Sequence, residues 1–198
     1  MADDFEVIYL TGAPAAGKSS ISEQLRQIVS PLDVFNYGHE LTKYLSKKTG
    51  DQLHQDDLRR ESARLITPQD VEALDTILLE KVRVLRTETN LIIDTHAVTK
   101  EVYGFRVTPF SLQRVGELRP SMIVVLYTSP DVAISRIGKD SGGRPMITQF
   151  ESGFHSALQA SVALSYGTSL GLPVYFLDSD KENPELLEWF ARHIRNKK

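Results

Sequence analysis

The chain contains no cysteine, which excludes disulfides, zinc–thiolate centres and a cysteine nucleophile. No apolar run is long enough to span a bilayer. Positive charge is not in excess: 23 Lys and Arg stand against 26 Asp and Glu, a formal charge of −3. Composition therefore points away from nucleic acid as a partner. Internal repeats and low-complexity tracts are missing too. The first six residues carry three acids and no base, unlike a secretory signal. What is present is ordinary for a water-soluble globular chain. It has 198 residues, 41% hydrophobic and 25% charged, enough for one domain with a sizeable core. A cytoplasmic protein without a membrane partner is expected; the sequence does not speak to its oligomeric state.

Short β-favouring runs alternate with helical patterns. Phe5 to Leu10 reads as a strand, then Lys18 to Val29 as a helix with Ile21, Leu25 and Ile28 on one face. Val34 to Tyr37 reads as a second strand ended by Gly38. His39 to Leu65 reads as helical but broken around Gly50. Thr67 and Pro68 form a cap and first-turn pair for a helix to about Thr87. Leu91 to Asp94 and Ser121 to Thr128 read as strands, and Pro130 to Ile137 as a helix. The glycine-rich stretch Gly138 to Pro145 reads as a mobile loop. A long helix from Met146 to Leu170, a strand from Val174 to Leu177 and a helix from Pro184 to Ile194 complete the chain. Strands separated by helices imply an α/β fold: about five parallel strands flanked by helices on both faces, with no domain boundary.

Gly12-Ala13-Pro14-Ala15-Ala16-Gly17-Lys18-Ser19 matches the phosphate-loop pattern at every fixed position, with a strand before it and a helix after. Backbone N–H groups of such a loop cradle phosphate oxygens. Lys18 would place a cation on the β- and γ-phosphates, and Ser19 would offer a hydroxyl to Mg²⁺; Ser20, next along, belongs to the same binding stretch. ATP and Mg²⁺ are the cofactors this pattern predicts. Asp94 ends an apolar strand, where ligands of open parallel sheets bind, and is a candidate metal residue beside Ser19. Its alternative role is a turn cap. Thr95 and His96 would line the same crevice, although a lone histidine is more often a polar partner than a catalyst. Arg136, near a helix end, and Arg144, in the glycine loop, fit a lid that closes over a triphosphate. Arg59, with Arg60, lies in the helical segment after the second strand, where an arginine can grip an acceptor phosphate. The plainer reading of these arginines is a solvated surface.

Together, Gly12–Ser19, Asn36-Tyr37-Gly38, Asp57-Leu58-Arg59, Ile92-Ile93-Asp94-Thr95-His96, Tyr103-Gly104-Phe105, Ser135-Arg136 and Ala163-Leu164-Ser165-Tyr166-Gly167 resemble the archaeal-type adenylate kinases. These are P-loop nucleoside monophosphate kinases, and the resemblance covers about Val7 to Asp178. It implies a single kinase domain with the P-loop nucleoside triphosphate hydrolase fold, an acceptor-binding helical insertion at about 38–66 and a lid at about 138–146. It implies ATP at Gly12–Ser19 and a nucleoside monophosphate, most simply AMP, near Gly38, His39, Arg59 and Asp94–His96. It sets Arg136 and Arg144 on the transferring phosphate, with Lys18. His39 stands where the family has a small hydroxyl residue, and the lid keeps a single arginine. Two alternatives stay open on these residues: a kinase of another small acceptor, and a nucleotide-binding regulatory ATPase.

Overall fold

The computed structural model describes residues 5–55, 58, 64–139, 146–180 and 184–194. Five parallel strands form one sheet in the order β2-β3-β1-β6-β7: β1 Val7–Thr11, β2 Leu32–Asn36, β3 Asn90–Asp94, β6 Met122–Tyr127 and β7 Val174–Asp178. Its helices are α1 Lys18–Ile28, α2 Tyr37–Thr49, α3 Pro68–Leu85, α4 Leu112–Leu118, α5 Pro130–Lys139, α6 Gln149–Leu170 and α7 Pro184–His193. A separate antiparallel hairpin joins β4 Val98–Glu101 to β5 Gly104–Val107.

The central strands look like unbroken apolar runs because both faces are buried. Alternation persists beneath that. Val7, Tyr9, Leu91, Ile93, Ile123 and Val125 pack on one face with residues of α2, α3, α4 and α6. Ile8, Leu10, Ile92, Val124 and Leu126 pack on the other with α1 and α7. The sheet is thus a wall between two helical layers, and every strand delivers its carboxyl end to the same edge.

Local chemistry sets most boundaries. Thr67 and Asp70 make a reciprocal capping box for α3, with Pro68 at its first position. Gly50, at φ 79°, closes α2. Four expectations need correcting. Helix α5 runs through Gly138 to Lys139, two residues into the expected loop. The second strand ends at Asn36, not Tyr37, because the Asn36 side chain accepts from the His39 N–H and starts α2 there. The long helix starts at Gln149, since Thr148 and Glu151 form its capping box. Residues between the third strand and Ser121, given no structure in advance, form the hairpin and α4. No described helix is long and apolar enough to cross a membrane.

Candidate active site

The turn after β1 is built from backbone. Gly12 has φ 153°, and a Cβ there would stand 2.4 Å from the Leu126 carbonyl oxygen; no other residue fits without moving that strand. Gly17, at φ 81°, caps α1 without a side chain, and the first turn of α1 holds no acid. The leading N–H groups and the positive end of the helix dipole thus face the turn, an anion-binding arrangement. The Lys18 ammonium donates to the Gly12 carbonyl oxygen at 2.9 Å and lies 4.0 Å from Asp94 Oδ1.

β3 lies directly beside β1, with Leu10 opposite Asp94. This register brings the acid to the loop. Burial raises the Asp94 pKa, while Lys18 and the Asn36 amide, which donates to Oδ2 at 2.9 Å, draw it back down. Below this pair sits a buried polar strut. Gln159 of α6 donates to Thr11 Oγ1 at 2.6 Å, and its Oε1 accepts from the N–H groups of Ala97 and Val98 at 3.2 and 3.1 Å. The Thr11 hydroxyl in turn donates to the Thr95 carbonyl at 3.0 Å. His155 Nε2 lies 3.1 Å from the Val98 carbonyl oxygen. Burial, with the fields of Lys18 and Lys100, lowers the pKa of this imidazole to about 4, against the pull of that carbonyl. It is therefore neutral at pH 7.

A cleft of about 430 Å³ opens over these groups. Lys18, Ser19, Asp94, Thr95, His96 and Gly38, all singled out from sequence, line it together. Pro14 lines it too, while Ala13 and Ala16 are buried in the turn. Ser20 is exposed on α1 and accepts from the Gln24 amide. His39 is exposed on α2 and is not part of the cleft lining. Arg136 points its guanidinium at backbone oxygens, at 3.1 Å from Ala15 and 2.6 Å from Ser179. In this state it ties the phosphate turn to the segment after β7. Arg59 and Arg144 lie outside the described residues, as does most of the expected lid.

Several cleft residues were missed. Lys100 and Arg106 arrive on the hairpin, paired with Glu151 at 3.1 Å and Glu101 at 3.0 Å. Asn36, Asp75 and His155 also line the cleft, and Gln159 lies buried behind it. No local signal marked them: the buried face of α6 carries Ser152, His155 and Gln159 beside Ala163 and Tyr166, so polarity alone singles out no cleft residue.

A parallel sheet in this order, a glycine-bounded turn after its central strand and an uncapped helix behind it define a P-loop nucleoside triphosphate hydrolase fold. Residues 11–151 match the AAA domain family, and the chain belongs to that family. It is 22% identical to an adenylate kinase of Methanocaldococcus jannaschii, over 92% of this chain and 97% of that protein. An adenylate kinase of Methanothermobacter thermautotrophicus is 23% identical over 85% of this chain and 88% of that one. The resemblance to archaeal-type adenylate kinases therefore holds along nearly the whole sequence. A shikimate kinase of Acinetobacter baumannii, solved with shikimate, superposes with a TM-score of 0.58 at 12% identity, covering 96% of this chain and 93% of that one. That likeness concerns the fold alone.

Proposed function

We propose that the protein is a Mg-ATP-dependent nucleoside monophosphate kinase, with AMP as its first acceptor. One observation carries the reading. The phosphate turn, Lys18, Ser19 and Asp94 share a single cleft with a largely apolar compartment between α2 and α3, walled by Tyr37, Leu41 and Val71. Donor triphosphate and acceptor base thus have adjoining places.

In this reading Gly12–Ser19 and Ser20 receive the triphosphate, and Lys18 meets its β- and γ-oxygens. The donor set suits magnesium: Ser19 and Asp94 offer hard oxygens, the kind that ion takes. Among the described residues no cluster of three acids or histidines could seize a metal by itself, so the nucleotide would bring the ion with it. Bound Mg²⁺ would neutralise developing phosphate charge. The acceptor needs no general base, because its phosphate oxygen is already anionic near pH 7. That oxygen bonds to the γ-phosphorus as the bridge to the β-phosphate breaks, and ADP leaves. The chain contributes alignment, charge and exclusion of water. The whole chain acts as one kinase unit: the segment at about 38–66, with Gly38, His39 and Arg59, covers the acceptor, and the segment at about 138–146, with Arg144 and the nearby Arg136, closes over the γ-phosphate.

A second reading, transfer to another small acceptor, is favoured by His39, which stands where the archaeal-type adenylate kinases have a small hydroxyl residue. Incubation of ATP and Mg²⁺ with each nucleoside monophosphate, resolved by chromatography, tests both. AMP-dependent formation of two ADP per ATP is expected. ATP loss that no monophosphate accelerates would refute the proposal.

A further inference from the structure

Helix α3 turns one face toward the cleft. Pro68, Val71 and Asp75, spaced by three and four residues, all line it. Asp75 is out of place on this part of the cleft lining, which also holds Tyr37, Leu41, Ile66, Val71 and Phe110. Its side chain is buried, with the residue only 7% exposed. Oδ1 accepts a 2.8 Å hydrogen bond from the Tyr37 hydroxyl. Oδ2 accepts none from any described residue, yet it is not sealed in the interior. Arg114 acts on Asp75 through its field and is itself paired with Glu117 at 3.8 Å; Glu72 opposes it. Burial, the largest influence, lifts the Asp75 pKa to about 6, so the group is mostly ionised at pH 7. A carboxylate in an apolar wall with one oxygen unmatched is costly unless a ligand supplies the second donor.

We infer that Asp75 is the specificity-determining residue of the acceptor compartment, its Oδ2 taking one N–H from the acceptor's base, the 6-amino group of an adenine. The inference rests on the monophosphate kinase reading and deepens it. The apolar side chains of the lining suit a flat ring, and Tyr37 meets Phe110 edge-on at 5.3 Å, an aromatic floor beside the carboxylate. With Oδ1 committed to Tyr37, the Asp75 carboxylate has one oxygen to offer, not two. In the pose that sets adenine's 6-amino group on Oδ2, a 6-oxo purine sets its O6 lone pair there instead, and its N1–H reaches that oxygen only if the ring shifts in the compartment. Sites built to bind a substrate N–H discriminate strongly against analogues that lack it.

The test compares kcat/KM for AMP and IMP in the parent, Asp75→Asn and Tyr37→Phe proteins, with ATP saturating. Calorimetric binding of each monophosphate without ATP is measured in parallel. The parent should prefer AMP by at least about 10²-fold. Asp75→Asn puts an amide donor opposite O6, so it should cut that preference at least tenfold, mainly through the KM for AMP and with the KM for ATP unchanged. Tyr37→Phe keeps the carboxylate and should keep the AMP-to-IMP ratio, whatever its absolute rate. A ratio unmoved by Asp75→Asn, or moved equally by Tyr37→Phe, would reduce Asp75 to a prop for Tyr37 and overturn the inference alone. A parent that prefers IMP would overturn the assignment of an amine donor. A parent that neither binds nor phosphorylates any monophosphate would overturn the kinase reading and this inference with it. Should Asp75→Asn not fold, the same ratio is measured in Asp75→Ala, where the preference for AMP should fall at least tenfold; an unmoved ratio there would overturn the inference.

Discussion

Lys18 stands between two unlike oxygens, the Gly12 carbonyl at 2.9 Å and the Asp94 carboxylate at 4.0 Å. Neither contact holds the fold together, and both place the ammonium at the anion-binding turn. Lys18→Ala should therefore leave the unfolding transition nearly unchanged. It should lower the phosphoryl transfer rate by roughly 10²–10³-fold, the usual cost of losing one transition-state contact. Near-normal turnover in a steady-state assay would contradict the role. His155 makes a different residue-scale prediction. Its folded pKa of about 4 lies below the ordinary 6.5, so the folded state prefers the neutral ring. The stability this carries is present above pH 6.5 and is lost as pH falls from 6.5 toward 4, by up to about 3 kcal/mol. Asp75, raised to about 6, titrates in an overlapping window with the opposite sign. The readout is therefore the difference between parent and His155→Gln in chemical denaturation at pH 7 and pH 4.5. The gap between the two proteins should shift in favour of His155→Gln at the lower pH; a gap independent of pH would refute it. Lys18 was legible from its motif, whereas His155 was not. A histidine one turn before a glutamine in a long helix carries no mark of the strand it will meet.

At the scale of elements, α6 is the strut behind the site. Gln159 joins the end of β1, through Thr11, to the start of the hairpin, through Ala97 and Val98. Replacing it by leucine would orphan two buried N–H groups, each worth about 1–3 kcal/mol. Gln159→Leu should thus cost about 2–4 kcal/mol in denaturant unfolding and raise the KM of the acceptor, whose cleft the hairpin lines. A loss below about 0.5 kcal/mol would show that the strut is dispensable. Some helix ends were readable because their chemistry is local: Thr67 with Pro68, Gly50 and Gly171 each act within a turn of themselves, whereas the caps Asn36 and Thr148, equally local, were passed over inside longer strand and helix patterns. The hairpin was not. Its strands are four residues each, carry Thr99, Lys100, Glu101 and Arg106, and turn at Val102 and Tyr103 without an Asn-Gly signal. It is held by packing of Phe105 on Phe154 and His155, contacts made 49 and 50 residues further along the chain.

At the scale of the molecule, strand order makes the site. Nothing in the runs at Leu91–Asp94 or Ser121–Thr128 says which of them lies beside β1. The sheet places β3 on one side and β6 on the other, so that Asp94 meets Lys18 and the Leu126 carbonyl meets Gly12. The phosphate turn and its acid could be read because both lie at strand ends, where a parallel sheet collects ligands. The apolar wall of the proposed acceptor compartment could not, because Tyr37, Asp75 and Phe110 come from α2, α3 and the segment before α4 and converge only in the fold. The central claim is that this cleft moves a phosphoryl group between two nucleotides rather than to water. The most direct measurement follows the label from γ-³²P-ATP in the presence of Mg²⁺ and AMP. The account predicts label in the β-phosphate of newly formed ADP, one for each ATP consumed, and its loss in Lys18→Ala. Label recovered as inorganic phosphate, with AMP intact, would contradict it.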